Sequence, residues 1–321
     1  MKCVVTGGSG FIGQAIVNRL ALEGNEVIVF DIVKPQYTLL KNIRFVEGDI
    51  RYKENLRPVF SGANEVFDVA GVLGTHELIL DNQKAIDINV RGAINILEMA
   101  KDCGVQRLFH PTKPNDWLNT YSITKFAAER FCFMYQKEFG LPVTVLKWFN
   151  AFGKGQHLYP VRKAVPYFIV MALRNFPIEV FGDGEQTVDM IYVEDIARIA
   201  IEATRKFAGR FDKILDIGTG DAITVNQLVN DILLMTNSKS EVIHLPMRKG
   251  EPARSKIKAD VVELRKYLDI EFTDYETGLK NTIDWYAQIP DWEVKKALEY
   301  FRMNYGMLEP MMSHAEAMVS V

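Results

Sequence analysis

Two side chains four residues apart could together remove a proton from a hydroxyl group. Tyr121 and Lys125 stand in the stretch YSITK, and a spacing of four places both on one face of a helix. A lysine ammonium beside a phenol favours the phenolate and lowers the pKa of the phenol. The pair therefore predicts a tyrosine that acts as a general base near neutral pH.

Three glycines near the N-terminus could hold a dinucleotide. Gly7, Gly10 and Gly13 follow the spacing GxxGxxG directly after a short apolar run. Glycine at these places allows a tight turn, close approach of the backbone to a pyrophosphate, and close packing of the next helix. The N-terminus of that helix, with Phe11 and Ile12, offers free N–H groups and a positive dipole end to the phosphates. The segment predicts a dinucleotide site.

An aspartate indicates which dinucleotide binds. Asp31 ends the second apolar run, where a carboxylate accepts hydrogen bonds from the adenosine ribose and repels a 2′-phosphate. This favours NAD over NADP. Asp49 and Ile50 follow the third run, and Ala70 and Gly71 follow the fourth, so all four are expected to line the cofactor.

These positions need a parallel sheet to bring them together. The N-terminal half alternates short β-branched runs with longer helical patterns, and Gly24, Gly104 and Gly140 follow three of the helices. We expect an α/β fold: a Rossmann-type, doubly wound parallel sheet with a smaller C-terminal α/β part. The predicted helices are Phe11–Leu22, Gln83–Cys103, Tyr121–Phe139, Val193–Lys206, Val225–Thr236, Ala259–Leu268 and Trp292–Tyr300. The predicted strands are Cys3–Thr6, Glu26–Phe30, Ile43–Val46, Glu65–Ala70, Arg107–His110, Val143–Phe149, Ile178–Phe181, Ile214–Ile217 and Glu241–His244.

Composition excludes several classes of protein. The 321 residues are 48% hydrophobic and carry a net charge of −3, which argues against a disordered chain and a general nucleic-acid binder. No apolar run is long enough to span a membrane. The three cysteines form no CxxC pair, so we expect neither a disulfide scaffold nor a metal site, and we expect a cytoplasmic protein.

The order of the motifs along the chain is itself informative about the family. TGGSGFIG, VIVFD, GDI, NVRG, YSITK, WFNAFG and FGDGEQTVDMIYVEDIA follow one another along the chain. In this order the sequence resembles the extended short-chain dehydrogenase/reductase family, and within it the NAD-dependent nucleotide-sugar epimerases and dehydratases. The resemblance covers most of the chain, from residue 1 to about residue 288.

The resemblance implies a role for several residues. Tyr121 acts as base and acid at a sugar hydroxyl, Lys125 holds the nicotinamide ribose, and Thr112 completes the triad. Asn89 supports the site, and Phe149 lies near the nicotinamide.

The remaining implied roles concern the substrate, a nucleotide-diphosphate sugar. Asn150 and Arg248 contact its diphosphate, and Phe181 lies against its base. Family topology implies that residues 189–220 return to the NAD-binding domain of residues 1–150. Residues 151–188 and 221–290 then bind the substrate, and 291–321 form a helical tail. A homodimer is implied, through a four-helix bundle built from helices 83–103 and 121–139.

Three features depart from the family pattern. The segment 113–120 is short, and Lys113 and Pro114 stand where sugar dehydratases carry an Asp-Glu pair. Val188 replaces an arginine that pairs with phosphate, so Lys163 or Arg254 is expected to assist Arg248. Beside Thr112, Lys113 could recognise a carboxylate or a phosphate on the sugar.

Three functions follow, in order of preference. The first is an NAD-dependent nucleotide-sugar epimerase acting at C4 through a transient keto-sugar. The second is a dehydratase or decarboxylase that begins with the same oxidation. The third is an NAD-binding protein without turnover.

Overall fold

A computed structural model describes residues 1–207 and 213–305. Its strands are β1 (Lys2–Thr6), β2 (Glu26–Asp31), β3 (Ile43–Glu47), β4 (Glu65–Asp68), β5 (Arg107–Thr112), β6 (Val143–Trp148), β7 (Asn150–Phe152), β8 (Ile178–Phe181), β9 (Thr187–Tyr192), β10 (Leu215–Ile217), β11 (Ala222–Thr224) and β12 (Val242–Leu245). Its helices are α1 (Phe11–Leu22), α2 (Lys53–Phe60), α3 (Asn82–Ala85), α4 (Ala93–Asp102), α5 (Thr120–Phe139), α6 (Ala164–Ala172), α7 (Val193–Phe207), α8 (Val225–Thr236), α9 (Val261–Tyr267), α10 (Tyr275–Tyr286) and α11 (Asp291–Tyr305). Residues 306–321, the end of the predicted tail, lie outside the described part.

The central sheet has seven parallel strands in the order β10-β6-β5-β4-β1-β2-β3. The strand order reverses at β1, which lies between β4 and β2. Ligands of open α/β sheets bind in the crevice outside the carboxyl ends of the strands at such a point. The sheet therefore directs its binding crevice to the edge where Thr6, Asp31, Asp68 and Thr112 end their strands.

Both faces of this sheet are covered, as a doubly wound fold requires. One apolar core packs α1, α7 and α9 on one face, with Ile16, Ile199 and Leu264 fully buried. The other core packs α2, α4 and α5 on the opposite face, around Leu56 and Ile96. The predicted fold class is confirmed.

The C-terminal part has its own core and two small sheets. Strands β11, β9 and β7 form one sheet and β12 pairs with β8, while α6, α8, α10 and α11 supply most of a third core. Sequence patterns had not indicated α2, α6 or α10. Helix α6 is buried at almost every position, so it shows no polar face and no helical period. Helix α2 contains Pro58, a residue that argues against a helix.

The predicted helix Gln83–Cys103 is interrupted. A π-helical segment, Ile86–Gly92, separates α3 from α4. Asn89 lies in this segment, accepting a hydrogen bond from the Val72 amide (2.9 Å) and donating one to the Val72 carbonyl (2.9 Å). Asn89, in the π-helical segment, therefore anchors the loop after β4 through Val72. No helix among the described residues is long and apolar enough to cross a membrane.

Candidate active site

A cavity of about 470 Å³ lies between the carboxyl edge of the sheet and the C-terminal part. The sheet side contributes the start of α1, the loop after β4, the end of β5 and the first turns of α5. The C-terminal side contributes the end of β8 and the loops before α6 and after β12. Of the predicted site residues, those that line it are Phe11, Ile12, Ala70, Gly71, Asn89, Thr112, Lys113, Tyr121, Lys125, Phe149, Asn150, Phe181 and Arg248.

The glycine turn is built so closely that side chains do not fit. Gly7 has a φ of +69°, and a Cβ there would lie 2.7 Å from the Ala70 backbone. A Cβ on Gly13 would collide with the carbonyl oxygen of Gly7, while one on Gly10 would only approach that oxygen to 3.3 Å. The turn and the loop after β4 thus form a cradle of bare backbone at the N-terminus of α1, which fits a pyrophosphate.

Asp31 connects the end of β2 to this turn. Its carboxylate accepts hydrogen bonds from the Ser9 amide (3.0 Å) and the Val33 amide (3.2 Å). Burial raises the pKa of Asp31, although these amide hydrogen bonds act in the opposite direction. A carboxylate has about four acceptor positions, so two amides leave room for ribose hydroxyls.

Asp49 and Ile50 lie at the end of β3, outside the cavity lining. Asp49 pairs with Arg51 at 2.6 Å, and Ile50 packs so closely on Gly92 that a side chain there would collide with it. Both residues therefore have partners within the chain, and their predicted contacts with the cofactor stay predictions.

The start of α5 positions the predicted catalytic residues. Asn119 caps the helix by accepting a hydrogen bond from the Ser122 amide (2.9 Å), which fixes Tyr121 in the first turn. Lys125 follows one turn later. The Thr112 hydroxyl donates to the buried Glu129 carboxylate at 2.7 Å. The spacing of Tyr121 and Lys125 thus brings both to one cavity wall, beside Thr112.

The pKa values of this pair differ from the sequence-based expectation. Burial raises the pKa of Tyr121 to about 12, whereas a neighbouring ammonium was expected to lower it. Burial also lowers the pKa of Lys125, against the opposing charge of Asp68. Loss of hydration is the largest influence on both pKa values, because it disfavours the phenolate of Tyr121 and the ammonium of Lys125 alike.

A buried network supports the pair from behind, and sequence reasoning missed its centre. Asp68, the last residue of β4, accepts a hydrogen bond from Thr6 (2.7 Å) and bonds His110 Nδ1 (2.8 Å). His110 is 3% exposed, as expected of a packed strand residue, and burial lowers its pKa. Asp68 lies inside the predicted strand Glu65–Ala70, where a carboxylate within the apolar run VFDVA could have indicated it.

Lys113 lies at the same end of the cavity as Tyr121. Its ammonium stands 4.5 Å from the centre of the Tyr121 ring and donates to the Ser122 hydroxyl at 2.9 Å. The residue is 7% exposed, and burial lowers the pKa of its amine to about 7.

At the other end, two arginines enclose an aromatic ring. The guanidinium carbons of Arg162 and Arg248 each lie 4.8 Å from the centre of the Phe181 ring. Arg162 forms a buried ion pair with Glu179 (2.7 Å), and Arg248 pairs with Glu251 (2.6 Å). Planar guanidinium groups suit phosphate oxygens, so this end fits a nucleoside diphosphate.

Sequence reasoning missed Arg162, because it lies in a loop that carries no motif. Lys163, its neighbour, lines the cavity as expected, and burial lowers the pKa of its amine to about 8. The expectation for Arg254 is wrong: this residue is exposed, pairs with Asp183 at 2.6 Å and is not part of the lining. Asn150 lines the cavity and donates a hydrogen bond to the Asp189 carbonyl (3.4 Å).

Known proteins share this architecture over almost the whole chain. The sequence is 29% identical to UDP-N-acetyl-alpha-D-glucosaminuronate decarboxylase of Bacillus cytotoxicus, covering 90% of this chain and 98% of the relative. It is 27% identical to UDP-glucuronate 4-epimerase of Thermodesulfobacterium geofontis, covering 88% of this chain and 95% of the relative. Among solved structures, UDP-glucose 4-epimerase of Thermotoga maritima with UDP-glucose superposes with a TM-score of 0.83 at 28% identity, over 89% of this chain and 98% of that one.

The family model described as NAD dependent epimerase/dehydratase family matches residues 3–218. That range contains the glycine cradle, Asp31 and the Tyr121–Lys125 pair. The chain therefore belongs to the NAD-dependent epimerase/dehydratase family and is an enzyme that uses NAD.

Proposed function

We propose that the chain is a nucleotide-sugar 4-epimerase that acts through a transient 4-keto sugar. One observation carries the proposal: a single cavity has a tyrosine–lysine–threonine wall at one end and two arginines around Phe181 at the other. A nucleoside diphosphate at the arginines would direct its sugar toward Tyr121. The named relatives and the solved neighbour act on or bind UDP-sugars, which supports UDP as the nucleotide.

NAD, when bound, would supply the acceptor for the hydride of the sugar carbinol carbon and, after the keto-sugar has rotated in the cavity, its donor to the opposite face. Tyr121 holds the hydroxyl of that carbon, removes its proton as the ketone forms and gives a proton back. Lys125 and Thr112 position the cofactor ribose and the sugar hydroxyl. Gly7, Gly10 and Gly13 hold the pyrophosphate at the start of α1, and Asp31 holds the adenosine ribose. Ala70, Gly71, Asn89 and Phe149 line the nicotinamide half.

A dehydratase or decarboxylase that shares the first oxidation is the second candidate. It is favoured by the Bacillus cytotoxicus relative and by three carboxylates in the cavity wall, Glu77, Glu179 and Glu251. Elimination needs an acid and a base beyond the tyrosine. Against it, Lys113 and Pro114 occupy the positions where dehydratases of the resembled family carry Asp-Glu, and Glu251 is engaged by Arg248 and Thr75. A protein that binds NAD without turnover is the third candidate.

A panel of sugars tests the proposal. The purified protein is incubated with UDP-, dTDP-, GDP- and CDP-sugars, and products are identified by mass spectrometry and NMR. Unchanged mass with inversion at C4 supports the epimerase. Loss of water identifies a dehydratase, loss of carbon dioxide a decarboxylase, and absence of any product contradicts an enzyme of nucleotide sugars.

We further infer a homodimer built on the helices from α3 to α5. Ile86 and Ile123 are 45% and 58% exposed on these helices, and Leu118 is 94% exposed just before α5. Such apolar groups fit a four-helix interface with a second copy. Light scattering of wild type and of Ile123→Glu tests it: a dimer that becomes a monomer supports the interface, and a monomeric wild type contradicts it.

The proposed division into domains stays as the sequence indicated it. We propose that residues 1–150 and 189–220 form the NAD-binding domain and that 151–188 with 221–290 bind the substrate, although α9 within the last range packs in the core of the central sheet. In support, β10 pairs with β6 in the central sheet, and α7 packs in the core of that sheet. Free Cys3, Cys103 and Cys132 support a cytoplasmic location. A nucleotide-sugar substrate would place the enzyme in carbohydrate biosynthesis.

A further inference from the structure

Lys113 is a buried cation that lacks an anionic partner. Its side chain is 7% exposed, and its one hydrogen bond within residues 1–207 and 213–305 goes to the neutral Ser122 hydroxyl. An ammonium has three donor positions, so two remain unused by protein groups. No carboxylate of the described chain lies within ion-pair distance of it, although a buried charge is normally paired.

The surroundings of this ammonium are arranged to hold it in place. The Ser122 hydroxyl that accepts its hydrogen bond donates in turn to Asn115 at 3.4 Å. The rings of Tyr121 and Trp117 lie 4.5 Å and 5.8 Å from the amine nitrogen. Aromatic faces attract cations, so these two rings favour the ammonium form of Lys113 at the cavity wall.

Several cations line the cavity: Arg162 and Arg248 around Phe181, Lys163 next to Arg162 in the chain, and Lys113 and Lys125 on the wall with Tyr121. Arg162 and Arg248 enclose Phe181 and already meet Glu179 and Glu251. Lys113 lies against Tyr121, at the end where the sugar hydroxyl reacts. A diphosphate at the arginines leaves Lys113 for a second negative group on the same substrate.

We propose that Lys113 is a carboxylate subsite and that the substrate is a nucleotide-linked uronic acid. This inference rests on the proposed function, because Tyr121 must hold the C4 hydroxyl. On a hexose the C6 carbon is attached to C5, beside C4, whereas the diphosphate at C1 lies across the ring. A C6 carboxylate consequently falls on the Tyr121 side, within reach of Lys113, while the diphosphate points to the arginines.

The test compares acidic and neutral substrates. Steady-state 4-epimerisation of UDP-glucuronate and UDP-glucose is followed by NMR for wild type, Lys113→Met and Lys113→Arg. Lys137→Met, an exposed lysine on the same helix as Tyr121, is the control. We expect wild type to prefer UDP-glucuronate by about 10- to 100-fold in kcat/KM, the range of one charge-assisted hydrogen-bonded pair.

Lys113→Met should lose this preference, mainly through KM for UDP-glucuronate, while Lys113→Arg and Lys137→Met should keep most of it. An equal loss on both substrates would assign Lys113 to holding Tyr121 and would overturn the subsite. A wild type that prefers UDP-glucose would overturn it as well, whether or not Lys113→Met folds. UDP-N-acetylmuramate carries its carboxylate on the C3 side of C4, so a preference for it over UDP-glucuronate would refute the C6 assignment.

Binding separates failure of this inference from failure of the proposed function. Calorimetry on the NAD-loaded protein measures Kd for both sugars. Tighter binding of UDP-glucuronate that depends on Lys113, without any epimerised product, would support the subsite and contradict the epimerase. Epimerisation without discrimination between the two sugars would support the epimerase and contradict the subsite.

Discussion

The two halves of the cavity are built to hold their ligands with different parts of the chain. The cofactor half offers backbone: in the turn beside the cavity Gly7 and Gly13 leave no room for side chains, and Asp31 is the charged group that we propose for the ribose. The sugar half offers side chains, among them Lys113 and Arg162, drawn from distant loops and removed from water. Backbone geometry suits a ligand that never changes. Buried charges can be altered one at a time, which suits a family whose substrates differ.

The largest effect should come from the residue that both halves share. Tyr121→Phe removes the acid and base but not the cradle, so kcat should fall about 1,000-fold or more while NAD stays bound. Turnover reports on the chemistry at Tyr121, and the NAD content of the purified protein reports on the cofactor half. Tyr135→Phe, in the same helix but in the sheet core, is the control. Full activity of Tyr121→Phe would refute the proposed chemistry.

A change of charge in the cofactor half should alter the preference of the protein for NAD over NADP. Asp31→Asn loses the charge and keeps only one of the two oxygens that accept hydrogen bonds from the Ser9 and Val33 amides, so NAD should bind about 10- to 100-fold more weakly. Repulsion of a 2′-phosphate should disappear as well, which narrows the preference for NAD over NADP. Fluorescence titration with both dinucleotides measures this, with Asp81→Asn as control. If Asp31→Asn kept the same preference for NAD over NADP, a group other than Asp31 would have to distinguish the two dinucleotides.

Steric exclusion in the glycine turn should appear as a loss of stability. Gly13→Ala drives a methyl group into the Gly7 carbonyl oxygen, and the free energy of unfolding should fall by about 1–3 kcal/mol, with loss of NAD. Gly10→Ala, whose methyl group would lie 3.3 Å from the same oxygen, should lose less. Urea unfolding of both variants gives the comparison. Equal losses would contradict a backbone cradle of this shape.

The smallest effect should be a gain of stability in the sugar half. Burial lowers the pKa of Lys113 from 10.5 to about 7, so between these values the unfolded chain binds more protons than the folded one. Stability should therefore rise with pH across that window. Lys163, Lys125 and Glu251 act on the same amine. Lys113→Met removes the buried charge and should be more stable than wild type by about 1 kcal/mol at pH 7, a difference that shrinks toward pH 10.

Thermal unfolding from pH 6 to pH 10 measures that difference. Lys137→Met should follow wild type at every pH, because its amine is exposed. A constant difference between Lys113→Met and wild type would show that packing, and not charge, sets the stability of this position.

The sequence predicted more of the cofactor half than of the sugar half, because backbone turns depend on adjacent residues whereas buried charges depend on residues remote in the chain. Strand and helix periods predicted the central sheet and placed α1 and α8 at their observed bounds. The apolar helix α6 has no period, and the π-helical segment around Asn89 interrupts what the pattern predicts as one helix. Arg162 and Asp68 belong to no motif, since their roles depend on neighbours that are remote in the chain: Arg248 across the Phe181 ring, and His110 on the next strand.

Local sequence determined the features that act within a few residues. A glycine turn, a helix cap and a spacing of four each depend on neighbouring residues, so Gly7–Gly13 and Tyr121–Lys125 could be interpreted without a structure. The tertiary structure decided which charges lose their water. Only when the loops around α5, α6 and β12 meet does Lys113 become a buried ammonium with a lowered pKa, because desolvation depends on everything packed around a group and not on its sequence neighbours.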